Sequence, residues 1–234
     1  MILNHIAIYT IDIVALLMLF GLLTKDNTLS NQLKISFKYG ILLTILIILS
    51  EFGTIMAGQE DTGVRCLHKF FNVVGFSLSP LVPIILIAIF DPETLKKYKI
   101  IFIPSILNAI LSILSLWFNL IFYIDLVNSY QRGNWFVFFI ATYTINIAIL
   151  VYVAWQNSKR RFYPIKWKIA GLSLFTLVGT GVQIVKPEVY SSWHTVTLTL
   201  FLLYMLLSEF EGSFDALTGL NNRLSFDKAS RNLT

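Results

Sequence analysis

The chain has 234 residues, of which 56% are hydrophobic and 13% charged, and its mean hydropathy is +0.72. Soluble domains contain about a quarter charged residues, so this composition excludes an ordinary soluble enzyme, and an aromatic content of 15% excludes a disordered chain. The net charge of +5 requires no nucleic-acid partner, because the basic residues lie mainly between apolar segments. We therefore expect a multi-pass membrane protein that partners the lipid bilayer.

Seven apolar segments follow one another along the chain, each close to the roughly 20 residues that a helix needs to cross a bilayer. They cover residues 2–23, 36–57, 70–90, 100–124, 135–155, 168–185 and 193–209. Their apolar content is continuous and does not alternate, which favours helices over the strands of a membrane β-barrel. The sequence therefore predicts an all-α bundle of about seven transmembrane helices.

The basic residues predict the orientation of this bundle. The connections after the first, third and fifth segments contain eleven Lys and Arg residues when Lys38 and Lys168, at the starts of the segments that follow, are included. Those after the second, fourth and sixth contain four. Because connections rich in Lys and Arg stay in the cytoplasm, we predict that the N-terminus lies outside and the C-terminus in the cytoplasm. A bacterial inner membrane is the expected location.

Polar side chains recur at helical spacing within the apolar segments and predict a buried site. Those expected in the outer half, and taken as candidate ligand-binding residues, are His5, Asp12, Glu51, Asn119, Gln183 and His194. Intramembrane polar residues are costly and often functional. One interpretation is an external ligand pocket with Asp12 and Glu51 as acidic anchors. The other is hydrogen bonding between helices, with the carboxyl groups protonated or paired with His5 or His194. No spacing among these residues predicts a metal site.

The polar tail after the last segment contains the most specific motif. Residues 215–223 read DALTGLNNR, which resembles the D-x-L-T-G-L-x-N-R segment that opens GGDEF domains of diguanylate cyclases. All seven defining positions match: Asp215, Leu217, Thr218, Gly219, Leu220, Asn222 and Arg223. The same residues fit a junction between two helices, because Gly219 can end one helix and Asn221 or Asn222 can cap the next.

The resemblance implies an output domain that joins two GTP molecules into cyclic di-GMP with the help of Mg²⁺. The G-G-[DE]-E-F signature itself occurs nowhere in the sequence, so we expect no catalytic residue and no cofactor in this chain. We expect a piece of a longer diguanylate cyclase or a natural truncation, and the sequence leaves both open. The predicted division is a sensory membrane domain at 1–209 and a cytoplasmic stalk with the start of a GGDEF-like domain at 210–234.

Apolar residues in the last segment continue into this tail at alternating spacings of four and three. They are Val196, Leu200, Leu203, Leu207, Phe210, Phe214 and Leu217. Such a heptad seam predicts a homodimer stalk from Leu207 through Phe210 and Phe214 to Leu217. For residues 196–207 alone, packing against the chain's own helices also explains the spacing, and we favour that interpretation there.

Two patterns in the membrane region are the stretch from Gly75 to Pro83 and the sequence Gly133-Asn134-Trp135-Phe136. With them, the region is similar to the seven-transmembrane sensory regions that precede bacterial histidine kinases and GGDEF domains. The resemblance implies a receptor that relays an unknown external or intramembrane signal through the last helix to a cyclic-di-GMP output. The alternative is a multi-pass transporter or channel whose polar residues line a pathway. We favour the receptor, because the ionisable residues cluster towards one side and the tail resembles a signalling junction.

Overall fold

The computed structural model describes residues 2–59, 63–160, 166–186, 189 and 191–213. Within them the chain is mostly helical. The helices are α1 (Ile2–Lys25), α2 (Asn31–Ala57), α3 (Arg65–Leu78), α4 (Leu81–Phe90), α5 (Pro92–Lys97), α6 (Ile103–Phe118), α7 (Phe136–Arg160), α8 (Lys166–Val185) and α9 (Ser192–Glu211). A short 3-10 helix (Lys99–Phe102) precedes α6, and two strands, β1 (Phe122–Ile124) and β2 (Tyr130–Arg132), form an antiparallel hairpin between α6 and α7.

Six helical segments in the described part of the chain are long and apolar enough to cross a membrane. They are α1, α2, the continuous segment Arg65–Phe90, the segment Lys99–Phe118, α7 and α9. Large apolar side chains on their outer faces, such as Ile11 and Met18, are exposed as lipid-facing residues would be. These features are those of a multi-pass membrane protein. The seventh predicted segment, 168–185, coincides with α8, whose apolar part is the shorter helix Leu174–Gln183.

Helix α2 lies at the centre of the bundle and contacts α1, α3, α4 and α9. Its side chains Phe37, Ile41, Ile47 and Ile48 are buried in the main core. Ser30 caps its first turn by accepting a hydrogen bond from the Leu33 N–H. The central position of α2 places its C-terminal half, which includes Glu51, against several other helices at once.

A break between α3 and α4 is caused by Pro80, which has no N–H to donate to the carbonyl of Phe76 one turn earlier. The side-chain amide of Asn108 donates to this Phe76 carbonyl at 2.7 Å. The Asn146 amide donates to the carbonyl of Pro80, also at 2.7 Å, and to Ser105 Oγ at 2.8 Å. The Asn108 amide of α6 therefore satisfies the carbonyl that Pro80 leaves without its helical donor, and the Asn146 amide attaches α7 to the same break.

The all-α prediction needs a correction in the fourth segment, which was predicted to continue as a helix to residue 124. The helix ends at Phe118, because Asn119 adopts the left-handed conformation (φ 53°) that Asn tolerates better than most residues. The chain then enters β1, which pairs with β2. Asp125 closes the turn between the strands by accepting hydrogen bonds from the N–H groups of Val127 and Ser129.

The first four positions of the predicted seam face the chain's own bundle. Val196, Leu200, Leu203 and Leu207 are all buried in the main core. Their burial agrees with the intrachain packing favoured for residues 196–207. Leu207, which was also assigned to the predicted stalk, belongs to this intrachain core. Phe210 is partly buried against Ala154, Phe90 and Leu206. Phe214 and Leu217 lie outside the described residues, so a stalk beyond α9 stays a prediction.

Candidate functional site: a cavity at one end of the bundle

A cavity of about 520 Å³ lies where α2 and α8 end and α3 and α9 begin, with the hairpin at its side. This volume is in the range of small-molecule sites. Aromatic side chains form much of its wall: Phe71, Phe76, Phe136, Phe139, Tyr143 and Trp193. Polar groups from α2, α3, α8 and the hairpin converge on the same space. The combination of an apolar wall and a few directed polar groups is typical of a ligand site.

Glu51 is the carboxyl group of this cavity, and the hydrogen-bond network that it forms with Tyr9, Gln183 and Ser192 joins four helices. Its Oε2 atom accepts from the Tyr9 hydroxyl of α1 at 2.8 Å, and its Oε1 atom accepts from Gln183 Nε2 of α8 at 2.6 Å. Gln183 Oε1 in turn accepts from the backbone N–H of Ser192 at 3.0 Å. Because Ser192 is the first residue of α9, Gln183 caps that helix, whose first N–H groups have no partner within it.

Trp193 follows directly in the first turn of α9 and lines the cavity beside this network. Its indole Nε1–H is buried and makes no hydrogen bond of normal geometry with the described residues. It is nevertheless close enough to the Glu51 carboxyl group to interact with it electrostatically. The groups around Glu51 are therefore a phenol, an amide and an indole, all of which are neutral donors.

Asp12 and His194 form a separate pair next to the cavity. His194 Nδ1 contacts Asp12 Oδ2, and the Asp12 side chain is buried while that of His194 is about one third exposed. Neither residue lines the cavity. Of the two interpretations left open for Asp12, pairing with a histidine is the arrangement that the structure contains.

The hairpin is fixed to the ends of α2 and α3 by Asn128. This residue has a left-handed backbone (φ 62°), and its side-chain amide donates to the carbonyl of Ala57 at 2.7 Å. Its Oδ1 atom lies 3.1 Å from His68 Nδ1. Arg65 adds a second attachment by donating from Nη2 to the carbonyl of Ile124 at 2.6 Å. These contacts hold β2 against the cavity.

Arg132 of β2 supplies a positive charge at the exposed side of the cavity. Its guanidinium group lies over the ring of Phe136, 4.7 Å from the centroid, which is a cation–π arrangement. The neighbouring Tyr130 is 37% exposed, but loss of hydration at its hydroxyl outweighs the attraction of Arg132 and raises its pKa to about 12. Tyr130 is therefore neutral near pH 7. The ionisable groups left around the cavity are Glu51, Arg132 and His68.

The opposite end of α9 contacts the loop between α1 and α2. Ser208 Oγ donates to Asp26 Oδ2 at 3.1 Å and lies 3.2 Å from Thr28 Oγ1. Asp26 Oδ1 also accepts from the N–H groups of Thr28 and Leu29, and Lys34 Nζ donates to the Asp26 carbonyl. Partial burial alone would raise the pKa of Asp26, but the hydrogen bonds that its carboxylate accepts from the Thr28 side chain and from the N–H groups of Thr28 and Leu29 outweigh it and hold the pKa well below its usual value.

The structure brings some of the predicted site residues together and separates others. Glu51 and Gln183, far apart in sequence, meet in the cavity, and Asp12 pairs with His194 beside it. Asn119 is an exposed residue that ends α6 and takes no part in the cavity. The side chain of His5 lies outside the described residues, as do the motif residues Asp215, Leu217, Thr218, Gly219, Leu220, Asn222 and Arg223.

Sequence reasoning did not identify His68, Asn128 or Arg132 as site residues. The available signal was the run of turn-forming residues at 125–129, DLVNS, at the end of an apolar segment. Together with the alternating residues on either side it could have indicated a hairpin. The proximity of the hairpin to His68 depends on the tertiary packing of α3.

Among the residues that the structure describes, no three His, Cys, Asp or Glu side chains are grouped so that they could hold a metal ion. The chain matches no protein-family model, no curated protein and no solved structure. The features that bear on function are therefore the cavity, the contacts of α9 and the motif in the tail.

Proposed function

We propose that the chain is the sensory region of a membrane-embedded signalling protein with a cytoplasmic, diguanylate-cyclase-type output. In this proposal α8 is the seventh span, the N-terminus lies outside, and the C-terminus lies in the cytoplasm of a bacterial cell. Residues 1–209 receive the signal and residues 210–234 lead into a GGDEF-like domain that would use GTP and Mg²⁺. The uneven distribution of Lys and Arg supports this orientation.

The observation that carries the proposal is the double connection of α9. Its first residue, Ser192, is hydrogen-bonded to the cavity network through Gln183, and Trp193 lines the cavity. Its last residue, Glu211, comes shortly before the D-x-L-T-G-L-x-N-R segment that starts at Asp215. A ligand that changes the hydrogen bonds around Glu51 would therefore act on the helix that leads to the output.

A homodimer through residues beyond α9 is part of the same proposal, because a stalk would bring two output domains together. In a variant with Cys66, the single native cysteine, replaced by Ser, cysteines at Phe210, Phe214 or Leu217 should crosslink two chains. Preferential crosslinking from Gly212 instead would contradict the seam.

The relay is tested by fusing residues 1–234 in frame to an active GGDEF domain and measuring cyclic di-GMP in bacterial membranes. Gln183→Leu removes both the cap of α9 and the contact with Glu51, so it should change the synthesis rate severalfold at equal protein level. The control is Gln59→Leu: this glutamine follows α2 and donates only to the Ile55 carbonyl at 3.0 Å. Equal rates for all three proteins would contradict the relay. Solute flux in proteoliposomes that Asp12→Asn or Glu51→Gln abolishes would instead indicate a transporter or channel.

A further inference from the structure

We propose that the cavity binds a small organic cation: an amine whose ammonium group contacts Glu51 and whose apolar body lies against the aromatic wall. This inference rests on the proposed function for its role as a signal, since it names the class of ligand that the sensory region would detect. Binding itself can be measured without any output domain. The two proposals can therefore fail separately.

Each oxygen of the Glu51 carboxyl group accepts a hydrogen bond from a neighbouring helix. The Ser192 N–H can only donate, so it fixes Gln183 Oε1 as the acceptor and turns Gln183 Nε2 towards Glu51. Glu51 Oε1 is thus an acceptor, and Oε2 accepts from Tyr9. A donor to each oxygen suits a carboxylate, whose two oxygens only accept hydrogen bonds.

The negative charge of Glu51 has no positively charged partner among the described residues. The donors to Glu51 are neutral, and among the described residues no Lys, Arg or His lies within ion-pair distance of it; the nearby His194 contacts Asp12 instead. A carboxylate between apolar helices is costly unless a countercharge is present. Each carboxylate oxygen can accept more than one hydrogen bond. A bound ammonium group would supply both the countercharge and further donors.

The wall of the cavity is rich in aromatic side chains. Phe71, Tyr143 and Trp193 line the same space as Glu51, and Phe76 and Phe139 pack edge to face at 4.9 Å within the wall. Aromatic rings attract organic cations through their faces, and they also accommodate an apolar body. A cavity of about 520 Å³ is large enough for an amine with a ring or a short chain.

Arg132 provides the opposite possibility, a carboxylate ligand, but the structure favours the cation. Arg132 is an exposed residue of β2, so its charge is partly hydrated, and its guanidinium group is already stacked on Phe136. Glu51 is largely withdrawn from solvent and has only neutral partners. Electrostatic attraction is stronger where water is excluded, so the ligand charge should be opposite to that of Glu51.

Three probes of the same shape test the sign of the ligand charge on the unmodified chain in lipid nanodiscs. They are 2-phenylethylamine, 2-phenylethanol and 3-phenylpropanoate, measured by isothermal titration calorimetry against empty nanodiscs. We expect the amine to bind at least tenfold more tightly than the other two. Equal affinities, no binding of the amine at millimolar concentration, or tighter binding of the propanoate that Arg132→Gln removes would each overturn the proposal.

A matched pair of variants then tests the position of the cation. Glu51→Gln should weaken amine binding at least tenfold, whereas Glu93→Gln, the same change at an exposed residue of α5, should leave it unchanged. An unchanged affinity in folded Glu51→Gln would overturn the proposal, and the probe comparison stands by itself if this variant does not fold. Glu51-dependent amine binding without any effect on the fused cyclase would contradict only the sensory function.

Discussion

The two ends of α9 are held by different kinds of polar contact. At the cavity end, Ser192 is hydrogen-bonded through Gln183 to Glu51, and these side chains lie among packed helices. At the other end, Ser208 donates to Asp26, which belongs to a short loop. Asp26 also has donors within that loop, whereas the Tyr9 and Gln183 donors to the Glu51 carboxyl group both come from other helices.

This difference indicates where a ligand could act on the helix. The loop around Asp26 forms most of its hydrogen bonds locally and would keep them if α9 moved. The network around Glu51 has no local substitute, because its donors come from α1 and α8. Long-range contacts of this kind change together when one of them is altered. The cavity end is therefore the sensitive end of α9, and the loop end is a fixed support.

The largest expected effect is that of Glu51→Leu, which removes the acceptor shared by Tyr9 and Gln183. The buried hydroxyl of Tyr9 and the half-buried amide of Gln183 then lose their acceptor, so the free energy of unfolding should fall by about 3 kcal/mol. Unfolding by SDS in mixed micelles, followed by circular dichroism, measures this change. Glu93→Leu on exposed α5 is the control and should stay within about 0.5 kcal/mol of the native chain. Similar losses in both variants would remove the proposed contrast between buried and exposed carboxyl groups.

The next effect is expected from Gly53→Ala, which tests the packing of the cavity wall. A Cβ atom at Gly53 would lie 2.6 Å from the ring of Phe71, so α2 and α3 would have to separate or the ring would have to move. Overpacking of this kind costs about 2 kcal/mol. The same unfolding experiment measures it, and titration with 2-phenylethylamine should show weaker binding, since Phe71 lines the cavity.

Gly21→Ala provides the matched control for this packing test. Gly21 lies in α1, and an added Cβ atom would have no neighbour within 4 Å. This variant should therefore keep its stability and its affinity for the amine. A loss of stability in Gly21→Ala equal to that in Gly53→Ala would show that the effect comes from the helix itself and not from the contact with Phe71.

The helices were predictable from sequence because the hydropathy of a segment depends only on its own residues and not on what the segment packs against. The second predicted segment, 36–57, lies within α2 and shares its end at Ala57. The pairing of Asp12 with a histidine was also foreseeable, since an intramembrane carboxyl group needs a partner. For the same reason Glu51 and Gln183 could be named as site residues before their contact was known.

The hairpin was not predictable from the same pattern. Residues 120–124, LIFYI, continue the apolar run of α6, so hydropathy extends the helix through them. What ends the helix is the left-handed backbone of Asn119, and what forms the strands is their pairing from Phe122 with Arg132 to Ile124 with Tyr130. Both depend on contacts beyond the local segment. The cavity could not be derived either, because the hairpin contributes part of its lining.

The smallest effect is expected from Asp26→Asn at the supporting end of α9. The hydrogen bonds of the native carboxylate are partly exposed to solvent, so their loss should cost about 1 kcal/mol at pH 7. The pKa of Asp26 is lower in the folded chain than in the unfolded one, so its contribution is complete above the unfolded value near 4. It is lost as the pH falls further towards the folded value. The stability difference between native chain and variant should therefore be constant from about pH 5 to 8 and smaller at pH 3.

Ser208→Ala removes one of the contacts between the loop and α9, because Tyr204 of the same helix also interacts with Asp26. It removes one donor to Asp26 but leaves those of Thr28 and Leu29, so it should cost about 0.5 kcal/mol and retain the loss of stability below pH 4. Unfolding curves of both variants at pH 7 and pH 3 measure these differences. If Ser208→Ala abolished the pH dependence, α9 would determine the state of Asp26. The loop end would then depend on the helix as strongly as the cavity end does, and the contrast between a sensitive end and a supporting end would be wrong.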